Sequence, residues 1–267
     1  MEHFIIGDLH QCAFFLSKNK FIEQKELTKD NIVFQLGDFG FYFSYPENLA
    51  DYKREYNKRK ELASKKYTLF IIPGNHENYD LINALPLIEK WGGLVYEEKF
   101  STGSIYLAKR GEIYTIDGKT IFTFSGAQSF DGDQHFSISD VGTYKKIKKY
   151  RYGELKSNRL QKIKISNVNY WPQEIPTKEE YDYALSNLKK FDFKVDYIFS
   201  HTGPASIIED FINPEDLEKI DDPISAFFDI VYQKIDFKHW YFGHCHTNIT
   251  KGPFTTHYKE KPLPIIF

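Results

Sequence analysis

The sequence predicts an α/β fold on three observations. In the first half, short β-branched or aromatic runs alternate with amphipathic stretches. From Leu94 the apolar period shortens to two, which marks a β-rich region. Three of the early runs also finish in a glycine beside a polar residue, and strand ends of that kind are where α/β sheets bind ligands.

Phe4 to Ile6 is the first buried strand and ends at Gly7-Asp8. Between Cys12 and Leu27, apolar side chains at Phe14, Phe15, Leu16, Phe21, Ile22 and Leu27 predict a helix with a break near Asn19. Asn31 to Leu36 is the second strand, ending at Gly37-Asp38. Pro46 to Lys66 is a charged helix in which Glu55, four residues before Arg59, adds helical support. Tyr67 to Ile72 is the third strand, ending at Pro73-Gly74-Asn75. LVYEE, SIYLA, EIYTI and TIFTF then form a second, β-rich sheet, with Asp117-Gly118 as a hairpin turn between the last two. Thr177 opens a helix that runs toward Lys190, with Glu180 at the capping-box position. Tyr197 to Ser200 is a strand leading into His201, and His239 to Phe242 another leading into Gly243-His244. No internal repeat or low-complexity linker interrupts the chain, so residues 1–267 read as a single domain.

Composition narrows the function classes. With 41% hydrophobic and 27% charged residues over 267, the chain can bury a sizeable core and is neither disordered nor collagen-like. Lys and Arg number 35 against 37 Asp and Glu, a net charge of −2, so no whole-protein field attracts a polyanion and any nucleic-acid contact must be local. Cys12 and Cys245 are too few for a disulfide framework and lie in no CxxC pair, which favours a reducing compartment. The opening MEHFIIGDLH lacks a basic segment followed by an apolar one, and no apolar run approaches the roughly 20 residues that span a bilayer. The expectation is a soluble, cytoplasmic protein with no membrane partner.

Five strand ends carry the residues of chemical interest: Asp8 with His10, Asp38, Asn75 with His76, His201, and His244 with His246. Seven of these eight side chains are good ligands for a borderline divalent ion, combining imidazole, carboxylate and an amide carbonyl. In Asp8-Leu9-His10 and His244-Cys245-His246, side chains two apart leave an extended segment on one side, so each pair can reach one site while Cys245 points away. Glycines at 7, 37, 74 and 243 permit tight turns and close backbone approach. Singly, each residue has an ordinary explanation: Asp8 as a helix cap, Asp38 in a turn, Asn75 in an Asx turn, a lone histidine as a hydrogen-bonded structural residue. Turn chemistry gives no reason for all of them to follow apolar strands.

In chain order GDLH, Gly37-Asp38, GNHE at Gly74 to Glu77, SHTGP at Ser200 to Pro204 and GHCH at Gly243 to His246 resemble the five motifs of the calcineurin-like metallophosphoesterases, a match spanning Gly7 to His246. FSGAQSFD at 124–131 and YWPQEIP at 170–176 are similar to a second layer found in small bacterial members. The resemblance implies two stacked mixed β-sheets flanked by α-helices, a four-layer sandwich with a dinuclear metal site at the strand ends on one rim. Asp8, His10, Asp38 and His246 would hold one ion, and Asp38, Asn75, His201 and His244 the other, with Asp38 as the bridge. Manganese is the first expectation for both ions, and iron or zinc suits the same donors. Hydrolysis of a phosphate ester by attack of a metal-bound hydroxide is the implied reaction. His76 would stabilise the transition state or protonate the leaving oxygen.

Three departures restrict what carries over. Gly37-Asp38-Phe39-Gly40-Phe41 lacks both the GDxxD pattern and the phosphate-binding Arg of the protein phosphatases, which weakens a phosphoprotein phosphatase reading. Gln11 stands where a Gly often follows GDxH. An insert at about 132–168 lengthens the chain relative to small members and contains a basic run from Lys145 to Lys164. Its cations alternate with Ile147, Tyr150, Tyr152, Leu155, Leu160, Ile163 and Ile165, a pattern able to bind a nucleic-acid strand or polyphosphate but more economically read as a solvated hairpin or helix. A nuclease or cyclic-nucleotide phosphodiesterase is thus the enzymatic alternative, and a non-catalytic scaffold on the same fold the alternative of another class. Asp131-Gly132-Asp133 reads as a turn, Glu209 to Asp222 as capping and exposed surface, and Phe39, Phe41, Tyr42, Phe43 and Tyr45 as core or rim packing. Substrate and oligomeric state stay open.

Overall fold

A computed structural model describes residues 1–129, 171–212 and 222–266, and the backbone of two strands at 134–136 and 163–165. One mixed sheet has the order Leu263–Ile266 (β15), Glu2–Ile6 (β1), Ile32–Gln35 (β2), Thr68–Ile71 (β3), Gly103–Ala108 (β6), Gly93–Phe100 (β5) and Leu87–Lys90 (β4), with strands numbered along the chain. The second has the order Thr250–Lys251 (β13), Phe254–Thr256 (β14), His239–Phe242 (β12), Tyr197–Ser200 (β11), Lys119–Phe124 (β8) and Ile113–Ile116 (β7). Gln134–Phe136 (β9) and Ile163–Ile165 (β10) pair in parallel by themselves, inside the expected insert.

The strands β1, β2 and β3 are parallel and almost wholly buried, which is why their sequences are continuous apolar runs rather than alternating ones. One face of this sheet, through Val33, Leu69 and Ile71, packs on Leu62 and Ala63 of helix Leu49–Ala63 (α1) and on Leu16 and Phe21. Its other face, through Phe34, Phe70 and Ile72, meets Tyr114, Ile121 and Phe199 of the second sheet. The second sheet turns Phe122, Ile198 and Trp240 outward onto two helices, Lys178–Lys190 and Pro223–Tyr232. The result is the expected α/β arrangement of two stacked mixed sheets flanked by helices. Phe34 and Phe199 form one contact across the sheet interface, with ring centroids 4.5 Å apart, and truncating either to Ala would destabilise the fold by about 3–5 kcal/mol.

Several elements differ from expectation. Cys12 to Leu27 forms two short 3-10 turns, Ala13–Leu16 and Ile22–Lys25, in place of one interrupted helix. Ser17 turns extended after the first, and the buried Gln24 amide donates to the carbonyls of Leu16 and Phe21, bonds that a continuous helix would have drawn from its own N–H groups. Glu55 and Arg59 lie on α1 but do not pair with each other. Glu55 accepts from the Phe43 and Ser44 backbone N–H groups, and Arg59 donates to Glu98 and the Phe41 carbonyl. Both are buried, at 0% and 2% exposure, and both tie down the loop that follows Asp38.

LVYEE and SIYLA belong to the first sheet, as β5 and β6, and the chain crosses to the second only at β7. Period two reports a half-buried strand without saying which sheet holds it. Asp117 and Gly118 have φ of 49° and 71°, the left-handed pair of a tight hairpin. The capping box at Thr177 and Glu180 is formed, and Asp222 from the acidic stretch accepts the Ile224 N–H at 2.9 Å to cap the helix it opens. The basic side chains of 145–164 and Asp131-Gly132-Asp133 lie outside the described residues. Among the described residues no helix is long and apolar enough to cross a membrane.

Candidate metal centre

The loops that leave β1, β2, β3, β11 and β12 meet on one rim, drawn together by hydrogen bonds between the sheets. The Asp8 carboxylate accepts the His244 backbone N–H at 3.0 Å. His201, on the second sheet, places Nδ1 2.8 Å from the Leu36 carbonyl on the first. A Cβ at Gly37 would stand 2.1 Å from that same Nδ1, so only glycine lets the His201 ring pass.

The turns themselves are left-handed. Asp8, His10, Asp38, His244 and His246 have φ of 47°, 43°, 53°, 62° and 53°. The two His and Asp pairs therefore do not leave extended segments, and strand alternation is not what brings them together. A left-handed residue is disfavoured by roughly 1–2 kcal/mol, an amount offset here by bonds between the turns such as His10 N–H to the Asp38 carbonyl at 2.8 Å. Cys245 nonetheless faces away, buried in the apolar cluster beneath the second sheet.

Asp8, His10, Asp38 and His246 each offer one ligand atom, and these atoms lie within 4.8 Å of one another. The carboxylates form the floor, Asp8 at 0% and Asp38 at 1% exposure, while the two imidazoles are part-exposed and bring their Nε2 atoms to 3.1 Å. Beside them, Asp38 Oδ1 is 3.2 Å from His201 Nε2, which is itself 3.0 Å from Asn75 Oδ1. The His201 and His244 rings meet edge to face at 5.1 Å. His76 gives its backbone N–H to Asp38 Oδ1 at 2.9 Å and holds its Nε2 3.9 Å from Oδ2. All eight residues singled out from sequence thus share one rim, with Asp38 touching both groups.

The electrostatics follow from this burial. Burial pushes the His10 imidazole down to about 4, against the pull of Asp38, so at neutral pH it keeps a lone pair for a cation. Burial would lower His201 too, but the adjacent Asp38 carboxylate outweighs it and lifts the imidazole to about 10. Asp38 is buried as well, yet His201 and His76 hold its carboxyl well below the usual carboxylate range. The donors suit a divalent ion in two further respects. Imidazole, carboxylate and amide oxygen are the mixed set that manganese, iron and zinc accept. A carbonyl can only accept, so His201 Nδ1 carries a proton toward Leu36 and Nε2 faces the site, the orienting bond usual for a metal-binding histidine.

Further residues at the rim are not among the eight. Glu77 is fully buried, and its carboxylate accepts the backbone N–H groups of Asp38, Gly40 and Gly74. Its place in GNHE was the available signal. Arg54, reaching in from α1, donates to Gln11 Oε1 at 3.1 Å. Tyr258 stacks on His246 at 4.5 Å, and Lys259 Nζ sits 5.0 Å from the Tyr258 ring centre. Phe39, Phe41 and Tyr42 are buried in the core under the first sheet and form no stacking platform.

A family profile described as calcineurin-like phosphoesterase matches residues 3–248. No curated protein matches the chain. Among solved structures, phosphopantetheinyl hydrolase from Mycobacterium tuberculosis is similar at 13% identity with a TM-score of 0.44, covering 96% of this chain and 89% of that one.

Proposed function

Because the chain belongs to the calcineurin-like phosphoesterases, we propose that it hydrolyses a phosphate ester with the aid of two divalent metal ions. The observation that carries this reading is the convergence of Asp8, His10, Asp38 and His246 to within 4.8 Å on a rim that also holds Asn75, His201 and His244. The first four would hold one ion. Asp38, Asn75, His201 and His244 would hold the other, with Asp38 common to both sets. Divalent ions bound there supply Lewis acidity toward phosphoryl oxygens and a nucleophile available at neutral pH.

The chain's own groups do the rest. His201 must release its Nε2 proton to become a ligand, and the Leu36 carbonyl keeps the ring aimed while it does so. His76 is part-exposed beside Asp38 and serves as the proton donor to the leaving oxygen. Arg54 and Lys259 bring positive charge to the mouth and bind the ester's anionic oxygens, replacing the Arg missing from the second motif. Manganese is the proposed metal, a single domain the proposed unit, and a chain with only two cysteines, too few for a disulfide framework, favours the cytoplasm.

Phosphomonoesters, phosphodiesters, nucleotides and oligonucleotides assayed with Mn, Zn and Mg, beside elemental analysis, test the proposal. Metal-dependent turnover of one ester class with two bound ions is expected. Absence of a stoichiometric ion under every supplementation would instead favour a scaffold on this fold.

A further inference from the structure

We infer that Glu174 and Ser129 are positioning residues that dictate which way the Asn75 amide faces, an inference that rests on the proposed role of Asn75 as a ligand. FSGAQS and YWPQE, the two second-layer segments, supply this pair from 45 residues apart.

The direction of the hydrogen bonds makes the case. Glu174 is fully buried, and one of its oxygens accepts the Ser129 backbone N–H at 2.6 Å while the other accepts the Ser129 hydroxyl at 2.8 Å. A carboxylate accepts only, so the hydroxyl proton is committed to Glu174. The Ser129 oxygen is then left as an acceptor, and it stands 2.9 Å from Asn75 Nδ2. Only the NH2 end of the Asn75 amide satisfies it. The carbonyl end must therefore face the opposite way, toward the His201 Nε2 that it meets at 3.0 Å and hence toward the candidate ion site. An asparagine at such a position has two amide orientations of similar shape, and only one presents an oxygen to a cation.

Glu174 is itself held firmly. The Arg110 guanidinium donates to the carbonyls of Ser125, Gln173 and Glu174 and pairs with Glu180. Gly126 carries φ of 99°, and a Cβ there would lie 2.1 Å from the Glu174 carbonyl oxygen, so the glycine lets the two segments close on each other. FSGAQS and YWPQE are in this light two halves of one device, with Asn75 as its output.

Glu174→Gln, Ser129→Ala and Ser129→Thr, with Asn75→Ala as reference, test the inference by titrating Mn into metal-stripped protein in a calorimeter. Glu174→Gln and Ser129→Ala are expected to weaken one of the two ions by about 10- to 100-fold and leave the other within twofold, the usual effect of removing an outer partner of a ligand. Ser129→Thr keeps the hydroxyl and should restore the affinity. In an Asn75→Ala background, Glu174→Gln should change nothing further. Undiminished affinity in both Ser129→Ala and Glu174→Gln would overturn the inference. So would a loss from Glu174→Gln that is as large in the Asn75→Ala background as in the parent, which would mark Glu174 as a general support of the fold. The Asn75 side-chain amide gives a second readout that needs no metal and survives if Ser129→Ala fails to fold. Its NH2 resonances, identified by their loss in Asn75→Ala, should be protected from solvent exchange in the parent and lose that protection in Glu174→Gln. Equal protection in both would also overturn it. A parent protein that binds no ion would instead sink the metal-dependent reading, leaving the amide measurement to decide the orientation.

Discussion

Glu77 accepts the backbone N–H of Asp38 at 3.1 Å, so one buried carboxylate fixes the main chain from which the other projects. Since Glu77 also holds Gly40 and Gly74, it keeps two of the site's turns in register. Glu77→Ala strands three buried N–H groups, and at about 1–3 kcal/mol each the fold should lose at least 3 kcal/mol. Urea unfolding of the metal-stripped variant measures this, and a loss under 1 kcal/mol would mean that water takes over the carboxylate's role.

Asp38 and His76 should fail in different ways although both belong to one site. Asp38→Asn removes a negative charge and one carboxylate oxygen from the residue shared by both proposed ions, so metal content and activity should fall together. His76→Ala should keep both ions and lose on the order of 10² to 10⁴ in turnover, less on esters of acidic alcohols such as p-nitrophenol that need no proton. Elemental analysis beside kinetics on paired leaving groups separates the two, and metal loss from His76→Ala would remove it from the proton-donor role.

Gln11 has φ of 65°, a left-handed backbone that suits glycine and sets a cost on the residue found here. Gln11→Gly should stabilise the fold by about 0.5–1 kcal/mol, relief of left-handed strain exceeding the added freedom of the unfolded chain. It should also remove the Gln11 acceptor that draws Arg54 toward the rim and leave it to the Asp51 carboxylate 2.8 Å away on α1, so KM for the phosphate ester is expected to rise several-fold with little change in metal content. Arg54→Ala should raise KM at least as much. A KM unchanged in both would exclude Arg54 from substrate binding.

Burial raises the carboxyl of Asp222 to about 6 from an ordinary 3.8. Because the folded state then holds its proton more tightly than the unfolded chain, Asp222 favours folding most below pH 4, and that contribution is lost as pH rises through 6. The loss is of order 2–3 kcal/mol. Urea unfolding from pH 4 to 7 should show it as a negative slope, flattened in Asp222→Asn. A slope that persists in the variant would assign it to another group.

Much of this is legible in the sequence. Five strand ends pointed to all eight of the residues singled out as metal-competent or catalytic, because such side chains after buried strands have little other reason to recur. How they converge was hidden. Left-handed turns at Asp8, His10, Asp38, His244 and His246 leave no trace in apolar periodicity, and a side-chain bond such as Gln24 to the Leu16 carbonyl can break an apparent helix without altering its pattern. Sheet membership of β5 and β6 was equally silent, since alternation describes faces and not neighbours. Tyr258 and Lys259 follow the last motif as isolated residues, and Glu77 was visible only as a letter in one.

The bond from Asp8 to the His244 N–H spans 236 residues, nearly the whole chain, and the approach of His10 to His246 spans the same distance. A polypeptide emerging from the ribosome therefore carries Asp8, His10 and Asp38 for most of its synthesis without the histidines that complete the centre. On the proposed metal-binding role, loading would wait for the strand β12 and its histidines, and a truncated product ending before β12 would hold half of the proposed site and no means of making the rest.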